Sequence, residues 1–134
     1  MLATPLAGKV LAVDGADLVL AEWRDPGGVP HPPRYIAPLH IHHADDEAWY
    51  VLDGTLRFRL DDDEVEADAG GAVLARRGVA HTYWNPRSEP ARYLLVMTVR
   101  IGALIDALHA EGEGRSPSEI FEAHESTLIG WPRQ

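Results

Sequence analysis

From Lys9 to Arg100 the chain is cut into short runs of strand length by glycine, proline and acidic turn residues, and within those runs the apolar positions recur every second residue. Thr55 to Leu60 shows it most cleanly, with Leu56, Phe58 and Leu60 on one side and Thr55, Arg57 and Arg59 on the other. A period of two belongs to an extended backbone whose successive side chains point to opposite faces, and no helix can bury such a set. The same reading predicts strands at Lys9–Val13, Asp17–Trp23, Tyr35–His42, Glu47–Leu52, Val65–Ala67, Ala72–Ala75, His81–Trp84 and Ala91–Arg100. Many short strands of even spacing predict a barrel or sandwich. At 134 residues the chain has room for one domain and one core, taken here as 1–134 with the barrel at about 35–100.

Beyond Arg100 the period changes. Ile101, Leu104, Ile105 and Leu108 fall at i, i+3, i+4 and i+7, which predicts a helix to about Ala110. A linker follows at Glu111-Gly112-Glu113-Gly114-Arg115. Ser116-Pro117-Ser118-Glu119 then offers a capping residue, a proline at the first helical position and a glutamate placed to close a capping box, so a second helix should run to about Glu125. The tail 101–134 is therefore read as helical.

Composition excludes several classes of function. With no cysteine there is no disulfide, no thiolate metal site and no cysteine nucleophile, so any metal must sit on nitrogen and oxygen. A net charge of -9 without a compact basic patch argues against a nucleic-acid partner. No segment approaches the roughly 20 apolar residues that span a bilayer, and the first residues do not read as a secretory signal, so no membrane partner and a cytoplasmic location are expected. Asp61-Asp62-Asp63-Glu64 lacks the glycine and glutamate of a calcium loop and reads as a solvated hairpin tip.

One group of residues has the spacing of a metal site. His40 and His42, two apart on a strand, project from one face and can chelate a single ion. Glu47 heads the next apolar run after the short connection Ala44-Asp45-Asp46, where a returning strand could bring its carboxylate to the same ion. His43 has the opposite parity and should face outward. His31 sits in the loop Arg24 to Arg34, whose four prolines and two glycines preclude helix and central strand and make it a candidate ordered loop or lid. His109 and His124, in the tail, are expected to have no chemical role. Parity puts Trp49 and Val51 on the side of Glu47, and Tyr83 on the side of His81. Trp49 and Tyr83 are candidate substrate-pocket residues as much as packing residues. Val51, Leu95, Met97 and Val99 are read as core.

Pro38 to Gly54, with HxH, four residues, Glu, six residues and Gly, resembles the first motif of the cupin superfamily. Gly78-Val79-Ala80-His81-Thr82-Tyr83-Trp84-Asn85 is similar to the second, with two residues between Gly78 and His81 and three between His81 and Asn85. Arg34 and Arg76 stand where the motifs usually carry glycine and proline. The resemblance implies an all-β, double-stranded β-helix (jelly-roll) barrel with short C-terminal helices. It also implies one divalent transition metal, Fe, Mn, Ni, Cu or Zn, held by His40, His42, Glu47 and His81. It points to a metal-dependent oxygenase of the quercetinase-like sort, acting on a small organic, aromatic or enolic substrate, with Glu47 also as catalytic base. Non-redox isomerase, decarboxylase or polyketide-cyclase chemistry and a non-catalytic binding module are the alternatives. Two-faced apolar strands at Ala48–Leu52 and Tyr93–Met97 add the expectation of a homodimer.

Overall fold

The computed structural model describes residues 6–110 and 114–132. Two five-stranded antiparallel sheets face each other. The first runs β1 (Val10–Leu11), β2 (Leu18–Asp25), β9 (Ala91–Thr98), β4 (Glu47–Asp53) and β7 (Ala72–Ala75) in spatial order. The second runs β10 (Ser126–Gly130), β3 (Leu39–His42), β8 (His81–Trp84), β5 (Thr55–Leu60) and β6 (Asp63–Asp68). Strands close in sequence alternate between the sheets, which is the double-stranded β-helix expected. Trp49, Val51, Leu56, Phe58, Tyr83, Tyr93, Leu95 and Met97 interdigitate between them as one core. The alternation of β5 sorts as written: Leu56 and Phe58 are buried, whereas Arg57 turns outward to pair with Glu64 and Glu66 of β6. No helix among the described residues is long and apolar enough to cross a membrane.

Turns fix where the sheets meet. Gly54 has φ +80°, and a Cβ there would collide with the carbonyl oxygen of Pro90, so only glycine lets β4 pass into β5 beneath β9. At the other motif Arg76 replaces proline without loss of the turn. Its carbonyl accepts from Val79 N–H, and Gly78, at φ +85°, supplies the left-handed residue. Arg34 reaches across its loop to the Gly27 carbonyl at 2.7 Å.

Several elements depart from the sequence reading. The third strand starts at Leu39, because Pro38 has no N–H to donate and Tyr35 makes only an isolated bridge to Trp84. Helix α1 (Val99–His109) begins two residues early, because the Thr98 side chain caps Ile101 N–H at 3.2 Å. Val99 is consequently 49% exposed rather than core. Helix α2 (Pro117–Ala123) carries the predicted capping box between Ser116 and Glu119. The linker residues 111–113 lie outside the described residues. The tail is not wholly helical: Glu125 takes φ 56° and the chain returns as β10, paired antiparallel to β3 with Ser126 opposite His42. Its inward residues are Ser126, Leu128 and Gly130, which give no apolar signal at period two.

Candidate metal centre

The β3–β4 connection is pinned at both of its acids, and this determines where Glu47 emerges. Asp45, buried, pairs with Arg100 at 3.4 Å. Asp46 accepts the Arg77 backbone N–H at 2.8 Å, and Gly78 N–H donates to the His42 carbonyl at 2.8 Å. The two turns carrying the ligand motifs are thereby bonded to each other. His40 lies directly opposite His81 in the β3–β8 register, and Glu47 opens β4 in the facing sheet. One ligand atom from each of His40, His42, Glu47 and His81 lies within 4.8 Å of the others, and all four residues are buried.

Hydrogen bonds to the far ring nitrogens determine what those atoms can do. His40 Nδ1–H donates to the Pro38 carbonyl at 2.6 Å and His81 Nδ1–H to the Val79 carbonyl at 3.0 Å, since a carbonyl can only accept. Ser126 donates its hydroxyl to the His124 carbonyl, so at 2.7 Å its oxygen accepts from His42 Nδ1–H. With Nδ1 protonated on every ring, each neutral imidazole presents a bare Nε2 lone pair to the centre. His40 Nε2 and His42 Nε2 are 3.1 Å apart, and His81 Nε2 is 3.0 Å from Glu47 Oε1. Lone pairs at these separations repel unless a proton or a cation lies between them. Three imidazoles and one carboxylate are a donor set that divalent transition metals accept, and the residues fit such an ion.

The electrostatics follow from burial. Burial, reinforced by His81 and His42, pushes His40 down to about 3, so its ring is neutral at pH 7. Burial alone would raise Glu47, but before an ion binds, protons on the facing Nε2 atoms of His42 and His81 hydrogen-bond its carboxylate, outweigh burial and hold the carboxyl at about 2. For His40 the unfolded chain binds a proton that the folded one refuses between pH 6.5 and about 3. Stability must therefore fall as pH drops through that window, by about 1.4 kcal/mol per unit for one proton. Glu47 adds a loss in the same direction between pH 4.5 and about 2. Urea titrations of chelator-treated protein should show about 2 kcal/mol less stability at pH 5 than at pH 7. A flat profile would contradict the neutral, buried state of His40.

Ser126 and Phe121 show that the tail is part of the site. The Phe121 ring packs 5.4 Å from that of His40, and Ser126 sets the tautomer of His42. Replacing Ser126 with alanine should weaken metal binding about 10- to 100-fold, the usual effect of removing a partner that orients a ligand. Chelator competition measures it, and an unchanged affinity would show that His42 needs no such support.

A cavity of about 600 Å³ opens beside the four ligands. Trp49, Tyr83 and Tyr93 wall one side, while Leu104, Leu108, Phe121 and Leu128 from α1, α2 and β10 wall another. Trp49 and Tyr83 are thus both core and pocket wall, as parity allowed. Of the loop Arg24 to Arg34 only Arg24, at its start, lines the cavity, so of the two readings of this segment the ordered loop holds and the lid does not. That loop is tied instead to the β8–β9 connection, with Gly28 N–H on the Ser88 carbonyl and Asn85 bridging Asp25 and Glu89. His31 is exposed, and His43 faces out onto Thr127. His109, given no role on sequence grounds, lines the cavity at the end of α1, whereas His124 only hydrogen-bonds the Ile120 carbonyl. Burial pushes the Tyr83 and Tyr93 hydroxyls up, so both stay protonated donors.

Comparison with known proteins agrees with this geometry. The family model described as "Cupin domain" matches residues 26–97. Among similar solved structures is a sugar phosphate isomerase from Silicibacter pomeroyi, with 24% identity and a TM-score of 0.53 over 62% of this chain and 51% of that one. Another is a predicted oxalate decarboxylase from Thermotoga maritima, at 24% identity and TM-score 0.52, covering 60% of this chain and 64% of that one. A third is an uncharacterised double-stranded β-helix protein from Klebsiella pneumoniae, at 22% identity and TM-score 0.54, covering 72% and 77%. The chain spans about half the length of the sugar phosphate isomerase. No curated protein matches it.

Proposed function

This chain belongs to the cupin family, and from that premise we propose that it is a small metal-dependent oxygenase acting on an aromatic or enolic substrate. The observation that carries this reading is the convergence of three Nε2 lone pairs and one carboxylate oxygen beside an apolar cavity. Four protein ligands leave an octahedral ion with open positions, and the metal when bound would supply Lewis acidity and, for Fe or Ni, a place for dioxygen to react. His40, His42 and His81 hold the ion. Glu47, held ionised, also accepts the proton that an enol or phenol gives up on binding. Trp49 and Tyr83 form the wall against which the ring or chain lies, and α1, α2 and β10 keep water out. A cytoplasmic location is part of this reading.

The test is oxygen uptake by Fe(II)- or Ni(II)-loaded protein with flavonols and β-diketones, against Zn(II)-loaded protein as control. Uptake confined to the redox metals supports it, and none across the panel rejects it. Non-redox chemistry is the second reading, favoured by the sugar phosphate isomerase and the predicted oxalate decarboxylase among the structural neighbours. A sugar phosphate suits this cavity poorly. Arg24 is the single Lys or Arg among the lining residues, and its parity on β2 sends it outward with Leu20 and Glu22. We also propose that two copies pair through the outer face of the β2–β9–β4–β7 sheet.

A further inference from the structure

Trp49, Tyr83 and Tyr93 bring three hydrogen-bond donors to one wall of the cavity, and the described residues satisfy only one of them. The phenolic oxygens of Tyr83 and Tyr93 are 2.9 Å apart, so one hydroxyl donates to the other. Two hydroxyls carry two protons and share one bond, which leaves one O–H without an acceptor. The indole N–H of Trp49 is turned toward the Tyr83 hydroxyl but makes no hydrogen bond of good geometry with it. The three residues are 2%, 4% and 2% exposed, so bulk water does not make good the deficit. Unpaired donors at such depth are rare in folded proteins.

The cluster lies within reach of anything bound at the metal centre. The Trp49 ring is 5.6 Å from that of His81 and 5.4 Å from that of Tyr83, so it links the ligand set to the phenol pair. Beyond the ligands and His109 the rest of the lining is largely apolar, and its one Lys or Arg, Arg24, is turned outward. Building on the reading of this cavity as the substrate site, we infer that the substrate carries a second oxygen acceptor. It is an uncharged, largely apolar molecule whose carbonyl or ether oxygen, remote from its metal-binding oxygens, is held by the Tyr83–Tyr93 pair. Tyr83 and Tyr93 are then specificity-determining residues.

Zn(II)-loaded protein, which cannot turn over by oxygenation, allows binding to be read alone. The probes are 1-phenylbutane-1,3-dione and its 2-, 3- and 4-methoxyphenyl analogues, which add one ether oxygen at three distances from the chelating pair. By calorimetry one isomer should bind about tenfold tighter than the parent, the gain of one hydrogen bond to an otherwise unpaired donor. That preference should fall below about twofold in the Tyr83→Phe/Tyr93→Phe variant and in at least one of the single variants, which decide the matter if the double variant does not fold. The inference is overturned if no isomer outbinds the parent, as when ordered water alone satisfies the donors, or if the preference survives every substitution. A parent diketone that binds chelator-stripped protein as well as Zn(II)-loaded protein would sink the metal-site reading instead.

Discussion

Loading with a divalent transition metal should raise the melting temperature of this protein by more than ten degrees, and Glu47→Gln should erase most of the rise. A ligand that binds only the folded state stabilises it by RT ln(1 + [L]/Kd), about 4 kcal/mol at a thousandfold excess over Kd. For a chain of this size each kcal/mol shifts the midpoint by roughly 3–5 °C. The unfolded chain has no comparable affinity, because the four ligands come from three strands and meet only when both sheets are formed. Glutamine is close in shape to glutamate but brings a neutral amide in place of the anionic oxygen 3.0 Å from His81 and 3.4 Å from His42. Metal affinity should fall at least a hundredfold, more than loss of an orienting partner such as Ser126. Calorimetric melts of chelator-treated and metal-loaded protein, wild type and variant, make the comparison. An equal rise in both would remove Glu47 from the ligand set.

The barrel and the HxH pair were legible because both are written at a period of two, whereas Glu47 and His81 joined the set through the resemblance of their motifs to the cupin pattern. HxH on a strand puts both imidazoles on one face, and Leu56 and Phe58 state by alternation which side of β5 is buried. The last strand was not legible, because β10 turns Ser126, Leu128 and Gly130 inward and so carries no apolar stripe. Its inward serine is there for His42, and hydrophobic patterning cannot see a residue whose role is a hydrogen bond. Sequence likewise left the proline-rich loop as either an ordered loop or a lid, because its prolines and glycines exclude regular structure without saying what the loop covers. It could not show that Asn85, Asp25 and Ser88 bind that loop to another part of the barrel. The true wall comes from α1 and α2, whose amphipathic spacing predicted helices but not which surface they cover. His109 enters the cavity for the same reason, as the end of a helix whose apolar face is turned toward the barrel.

Substitution of Val96 by arginine should convert the proposed homodimer into a monomer. Strand register sets Leu20, Val96, Ala48 and Leu74 side by side across β2, β9, β4 and β7, with Leu94, Tyr50 and Ala72 in the next row beside Glu22, whose charge Arg92 meets at 3.3 Å. Their parity is opposite to that of Ala21, Leu95, Trp49 and Ala75 in the core, so this second apolar surface faces away from the barrel. Leu74 is 56% and Tyr50 43% exposed in the single chain. A contiguous apolar patch with so little charge is unusual on a monomer and is of the kind that an isologous pair buries. Arginine near the middle of that patch places a guanidinium against its twofold copy without a counter-charge and removes the valine contact. An interface built on such a patch loses about 4 kcal/mol or more from a central substitution, a dissociation constant about a thousandfold higher. Light scattering at micromolar concentration should return twice the 14.7 kDa chain mass for the wild type and the chain mass itself for Val96→Arg. Metal affinity should be unchanged, because the ligands face the opposite side of the sheet. A wild-type protein at the single-chain mass would leave this surface without the partner proposed for it.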